Sequence, residues 1–294
     1  MTSSPAPTDP RWLDHDGRPI DKEDRGLVYD LGTLVDRRRV LGLFGGVSAA
    51  GLLAACGSTG AGRTAGRSAA APSATSVGAS GDSTSGDLTE VPDETGGPYP
   101  GDGSNGVNVL DDSGIVRSDI RSSFGSSTST AEGVPLTIRL TVRDAGTGKA
   151  MPGAAVYLWH CTRDGAYSLY AQGLEGENFL RGVQEADDSG TVQFTSVFPG
   201  CYDGRWPHIH FEVYGGVDDA VSSGPIVKTS QIALPPEACE AVYATSGYES
   251  SVANLSRTSL AADMVFGDDG GIHQLASMSG GVDQGYTAAL TIGV

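Results

Sequence analysis

From Pro207 onward apolar Ile209, Phe211 and Val213 alternate with His208, His210, Glu212 and Tyr214. A period of two is the mark of a β-strand, and it places His208 and His210 on one face of it. The same alternation predicts strands over 135–143, 154–160, 191–198 and 226–234, and a further one over 287–294. Residues 237–244 read as one or two helical turns. Between the strands stand Asp-, Gly- and Pro-rich turns, at 144–148, 152–153, 187–190 and 199–200. Short strands punctuated in this way predict an all-β fold, an antiparallel β-sandwich core with long loops.

The pattern is absent before residue 89. Residues 1–36 are polar and rich in Asp and Pro, with no sustained apolar period. Arg37, Arg38 and Arg39 then precede about 16 mostly apolar residues, the arrangement of an export signal. That apolar run is short and Gly-rich for a membrane span, which needs roughly 20 residues. Consecutive arginines suggest the twin-arginine route. Leu53-Ala-Ala-Cys56 resembles a bacterial lipobox, in which Cys56 would be lipidated. The expectation is a signal region over 1–55, a Gly/Ser/Ala linker over 56–88 that cannot bury enough surface to fold, and a sandwich domain over 89–294. The protein would then be exported, and held by a lipid tether on the outer side of the cytoplasmic membrane, or otherwise secreted.

Charge narrows the partners. The 294-residue chain has a formal net charge of −17, and nearly all of the excess acid lies after residue 55. Such a domain repels phosphate backbones, so no nucleic-acid partner is expected. The four cysteines include no CxxC pair, which argues against a zinc ribbon. With Cys56 set aside, Cys161, Cys201 and Cys239 allow at most one internal disulfide, and the sequence does not choose among the pairings.

Two imidazoles on one strand face can grip a metal ion, although His-x-His is also an ordinary solvated strand face. The motif gains meaning from its neighbours. Trp159-His-Cys-Thr-Arg-Asp-Gly-Ala-Tyr-Ser168, Asn178-Phe-Leu-Arg-Gly182, Phe198-Pro-Gly-Cys-Tyr202 and Arg205-Trp-Pro-His-Ile-His-Phe211 occur in an order and spacing that resemble the intradiol ring-cleavage dioxygenases. These are the catechol and protocatechuate dioxygenases, and the similarity is nearest to their exported single-chain branch. Glu94-Thr-Gly-Gly-Pro-Tyr99 and Thr229-Ser-Gln-Ile-Ala-Leu-Pro235 resemble further segments of the family.

The resemblance implies a non-haem Fe(III) held by Tyr167, Tyr202, His208 and His210. It implies that a catechol-type substrate and O2 give a muconate-type diacid, the ring opening between its hydroxyl-bearing carbons. Tyr202 would leave the metal and take up a proton. Arg205 would stabilise negative charge on the ring, and Gln231 would lie near the metal. Tyr170 is the rival to Tyr167 as the first tyrosine ligand. His160 reads as packing or support, His273 as solvent-facing and Trp159 as core. Two other classes compete. One is a non-catalytic β-sandwich binding module of a lipoprotein, which gives no reason for the tyrosines. The other is a cupin-like metal enzyme, for which Glu212 comes too soon after the histidines.

Overall fold

The computed structural model describes residues 88–294, so the signal-type region, almost all of the linker and Cys56 lie outside the described residues. Among the described residues eight strands form two four-stranded sheets. The first has the order β4–β1–β8–β7, from β4 (Thr191–Val197), β1 (Pro135–Arg143), β8 (Gly285–Gly293) and β7 (Ser277–Gly281). The second has the order β3–β2–β5–β6, from β3 (Arg181–Glu185), β2 (Ala155–Trp159), β5 (His208–Tyr214) and β6 (Ile226–Ala233). All pairings are antiparallel except β1 with β8, which run parallel with Leu136 opposite Tyr286 and Arg143 opposite Gly293.

The inner faces bury the alternating apolar set expected of a sandwich. Leu136, Ile138, Leu140 and Val142 of β1 meet Val156 and Leu158 of β2 and Ile209, Phe211 and Val213 of β5 in one core cluster. Each such side chain contributes roughly 1.5–3 kcal/mol of burial. The strands β2 and β5 are buried on both faces, because loops and a short helix, α1 (Val217–Val221), cover the far side of their sheet. That far side carries His208 and His210.

Two helices brace the loop between β4 and β5. From α2 (Pro236–Tyr243) the Tyr243 hydroxyl donates to Pro199 O at 3.0 Å. Tyr248, just before α3 (Glu249–Leu255), donates to Phe198 O at 2.8 Å and accepts from Val134 N at 3.0 Å. Within α3, Ser251 Oγ accepts from Cys201 N at 2.9 Å, and Asn254 Nδ2 donates to Cys201 O at 2.8 Å.

Gly200 sets how closely that loop meets the turn after β2. Its N donates to Thr162 O at 2.9 Å, and a Cβ there would lie 2.3 Å from Arg163 O. Backbone cannot yield as a flexible side chain can. Gly200→Ala is therefore expected to cost about 2 kcal/mol or more, read as a fall in the midpoint of denaturant unfolding; an unchanged midpoint would contradict the packing.

Candidate active site

The two tyrosine-bearing segments are locked together by backbone contact. Gly165, with φ +87°, sits so close to Tyr202 that a Cβ on it would lie 3.0 Å from the Tyr202 Cβ. Two residues on, Tyr167 turns its ring edge-on to Tyr202, with centroids 6.0 Å apart, and edge-on to His210 at 6.3 Å. The strand supplies the remaining groups. Tyr202 Oη is 3.1 Å from His208 Nε2, and His208 Nε2 is 3.1 Å from His210 Nε2. The structure thus brings Tyr167, Tyr202, His208 and His210 into one cluster.

Hydrogen bonding decides how this cluster presents itself. His208 Nδ1 lies 2.5 Å from Trp206 O. A carbonyl only accepts, so the proton is on Nδ1 and the Nε2 lone pair points into the cluster. That single lone pair faces both the Tyr202 oxygen and the second imidazole. Trp159, a core residue as expected, stacks on His210 at 4.9 Å and 6° and fixes the ring plane. The Tyr167 hydroxyl is buried and has no hydrogen-bond partner among the described residues. An unsatisfied buried hydroxyl costs about 1–3 kcal/mol, a cost removed when a cation takes the oxygen. Two phenol oxygens and two imidazole nitrogens form a hard, partly anionic donor set that suits a trivalent ion. On these grounds the residues fit ferric iron.

Burial disfavours the charged form of three of these groups. Burial, and then the neighbouring Tyr202, push the Tyr167 phenol well above its usual range. Burial and the Arg205 charge hold His208 far below the ordinary imidazole value, and burial with His208 does the same to His210.

Arg205 is buried, with Nε 3.0 Å from Asp263 Oδ2 and one terminal nitrogen donating to Gln231 Oε1 at 2.7 Å. Gln231 stands opposite His210 in the β5/β6 register, and its Nε2 donates to Thr95 O at 2.9 Å. The segment around Thr95 forms one wall: a Cβ on Gly97 would lie 3.3 Å from His210 Cε1. Glu94 beside it is raised to about 7, by burial first and then by Asp268, with Arg205 opposing.

The other candidates lie elsewhere. The Tyr170 hydroxyl donates to Asn105 Oδ1 and accepts from Gly101 N, both at 2.9 Å, so it is engaged outside the cluster. His160 is buried with its nitrogens 2.7 Å from Cys161 O and 2.7 Å from Ser196 Oγ, and burial lowers its pKa to about 4. His273 is half-buried. Cys161, Cys201 and Cys239 are all buried free thiols; burial pushes Cys161 and Cys201 up to about 12, which leaves them poor nucleophiles.

Two site-building residues escaped the sequence reading. Arg181 is buried and donates to Tyr99 O, Pro100 O, Ser168 O, Ser168 Oγ and the Tyr157 hydroxyl, tying the wall segment to the Tyr167 loop. The Asn178–Gly182 motif contains it but gives no hint of this role. Asp263 stands alone in sequence; only the apolar Met-Val-Phe run after it hints at burial.

Comparison with known proteins agrees with the geometry. A dioxygenase family model, Dioxygenase_C, matches residues 120–212. Chlorocatechol 1,2-dioxygenase from Rhodococcus opacus is 35% identical over 63 residues, which are 21% of this chain and 24% of that protein. The chain thus matches about a quarter of the length of this curated relative. In fold it is similar to an intradiol ring-cleavage dioxygenase from Tetranychus urticae, with a TM-score of 0.56 and 24% identity, covering 70% of this chain and 94% of that one. Family model and curated relative indicate a likeness to the catechol-cleaving dioxygenases over part of the chain, and the structural neighbour shares the fold of an intradiol ring-cleavage dioxygenase.

Proposed function

We propose that the chain is a non-haem Fe(III)-dependent intradiol dioxygenase, which uses O2 to open catechol-type rings to muconate-type diacids. Tyr167, Tyr202, His208 and His210 are the ligands in this reading. The observation that carries it is the convergence of the Tyr202 oxygen and two imidazole nitrogens beside a buried Tyr167 hydroxyl that has no hydrogen-bond partner in the geometry of the described residues. Bound there, ferric iron would supply Lewis acidity toward a catechol-type substrate and make its ring reactive toward O2.

The residues divide the remaining work. With ferric iron bound, two phenolates and two neutral imidazoles would leave one net positive charge, so a catechol that gives one proton to Tyr202 would still meet positive charge as its monoanion. Tyr167 is buried and fixed, whereas Tyr202 is only half-buried. Tyr202 is therefore the phenol with room to move, and its oxygen receives a proton from the incoming catechol. The Arg205 guanidinium supplies a fixed positive charge facing negative charge that develops on the ring, in a site from which most water is excluded. The Gly97 segment closes over His210 and limits solvent access.

Export and a lipid tether at Cys56 complete the proposal; they rest on the sequence of residues 1–56 alone. Membrane-fraction mass of the processed chain tests that part.

The enzymatic reading is tested on iron-loaded protein by its visible spectrum and by O2 uptake with a panel of catechols. Tyrosinate-to-iron charge transfer should give a burgundy colour. Tyr202→Phe should change the band and slow turnover by about 100-fold. A colourless protein that holds zinc, or none of the expected O2 uptake, would overturn the reading.

A further inference from the structure

Asp263 lies beyond the residues matched by the family model, in the loop after the 3-10 turn Leu260–Ala262. Its carboxylate is completely buried. Oδ2 accepts from Arg205 Nε at 3.0 Å and from Trp206 N at 2.6 Å. Oδ1 accepts from Val265 N at 2.8 Å, Phe266 N at 3.2 Å and the Arg205 terminal nitrogen at 3.4 Å. Trp206, Val265 and Phe266 pack as a separate apolar cluster that anchors the loop.

One carboxylate therefore fixes two things at once. It holds the Arg205 fork against rotation, and the terminal nitrogen that it grips also donates to Gln231 Oε1. It also anchors the backbone N–H of Trp206. A planar guanidinium gripped through both Nε and a terminal nitrogen has little freedom left.

We propose that Asp263 is the positioning residue for Arg205 in ring cleavage: it aims the guanidinium at the site and offsets its charge while no substrate is bound. This rests on the dioxygenase reading above. Asp263 touches neither substrate nor metal, and it acts through Arg205. Its loss should therefore separate binding from turnover. Asp263→Asn keeps the outline of the side chain but removes the counter-charge and sets an NH2 against N–H donors at one of its two oxygen positions, so an anionic catecholate should bind as well or better while the guanidinium drifts.

The test uses the full iron-loaded chain, with Asp263→Asn and Asp263→Glu. Anaerobic catechol binding is followed through the visible band, and kcat and KM through O2 uptake. In Asp263→Asn the iron content and band position should hold, catechol affinity should stay within about threefold of the parent or tighten, and kcat should fall about 100-fold. Asp263→Glu should recover about tenfold of that loss. A kcat within about twofold of the parent overturns the proposal. So does a parallel loss of iron, affinity and turnover, or failure of both variants to fold, since each marks a merely structural residue. A parent chain with no coloured iron centre instead removes the dioxygenase reading itself, which the spectrum shows before any variant is made.

Discussion

His210→Ala is expected to yield protein that neither retains iron nor opens catechols. The imidazole sits 3.1 Å from His208 Nε2, and Trp159 stacks on it to fix its plane. Removing it deletes a nitrogen donor and opens a hole beside the Gly97 segment. Loss of an outer-shell partner typically weakens metal binding by about 10- to 100-fold, and loss of a direct ligand should exceed that. Metal analysis and the visible band after dialysis check it. One iron per chain with an unaltered band would remove His210 from the ligand set. His160 is the natural contrast: it is also a buried imidazole, but both its nitrogens are already bonded. His160→Asn should keep the colour and lose only stability, by about 1–3 kcal/mol.

Phe211→Ala is expected to give the largest loss of stability. Phe211 lies one residue from His210 on the opposite face of β5, fully buried between the sheets. Emptying such a position costs about 3–5 kcal/mol, because the surrounding residues collapse only in part. In a domain of this size each kcal/mol lowers Tm by about 2–4 °C, so a calorimetric Tm roughly 10 °C lower is expected. A Tm within about 3 °C of the parent would show that the core is not the sandwich interior described. The two substitutions separate the faces of one strand, chemistry on one side and cohesion on the other.

The strands that were legible in sequence are those whose two faces differ. β1 and β4 alternate cleanly and match the expected ranges almost residue for residue. β5 was legible because its polar positions are histidines rather than a second apolar row. β7, Ser277–Gly281, carries Ser and Gly and no β-branched residue, so its strand state comes from pairing with β8, not from local preference. β3 begins Arg-Gly, and it is placed by β2 and by the Arg181 hydrogen bonds. Helices α1 and α3 are too short to show a helical period. The family resemblance carried by local motifs pointed to the four clustered side chains, of which strand alternation alone placed only His208 and His210 together. It did not find Asp263, which reaches Arg205 across 58 residues. A partner supplied by tertiary contact leaves no trace in spacing.

The parallel pairing of β1 with β8 bears on how the domain is made. Its partners lie about 150 positions apart, as with Leu136 and Tyr286, so closing this ladder carries a large loop entropy and should form slowly. Until residues 285–293 emerge from the ribosome, the nascent chain shows an open edge on β1 and an incompletely covered row of Leu136, Ile138, Leu140 and Val142. Unpaired edges beside apolar rows invite intermolecular association, so the half-made domain is a natural client for a holding chaperone.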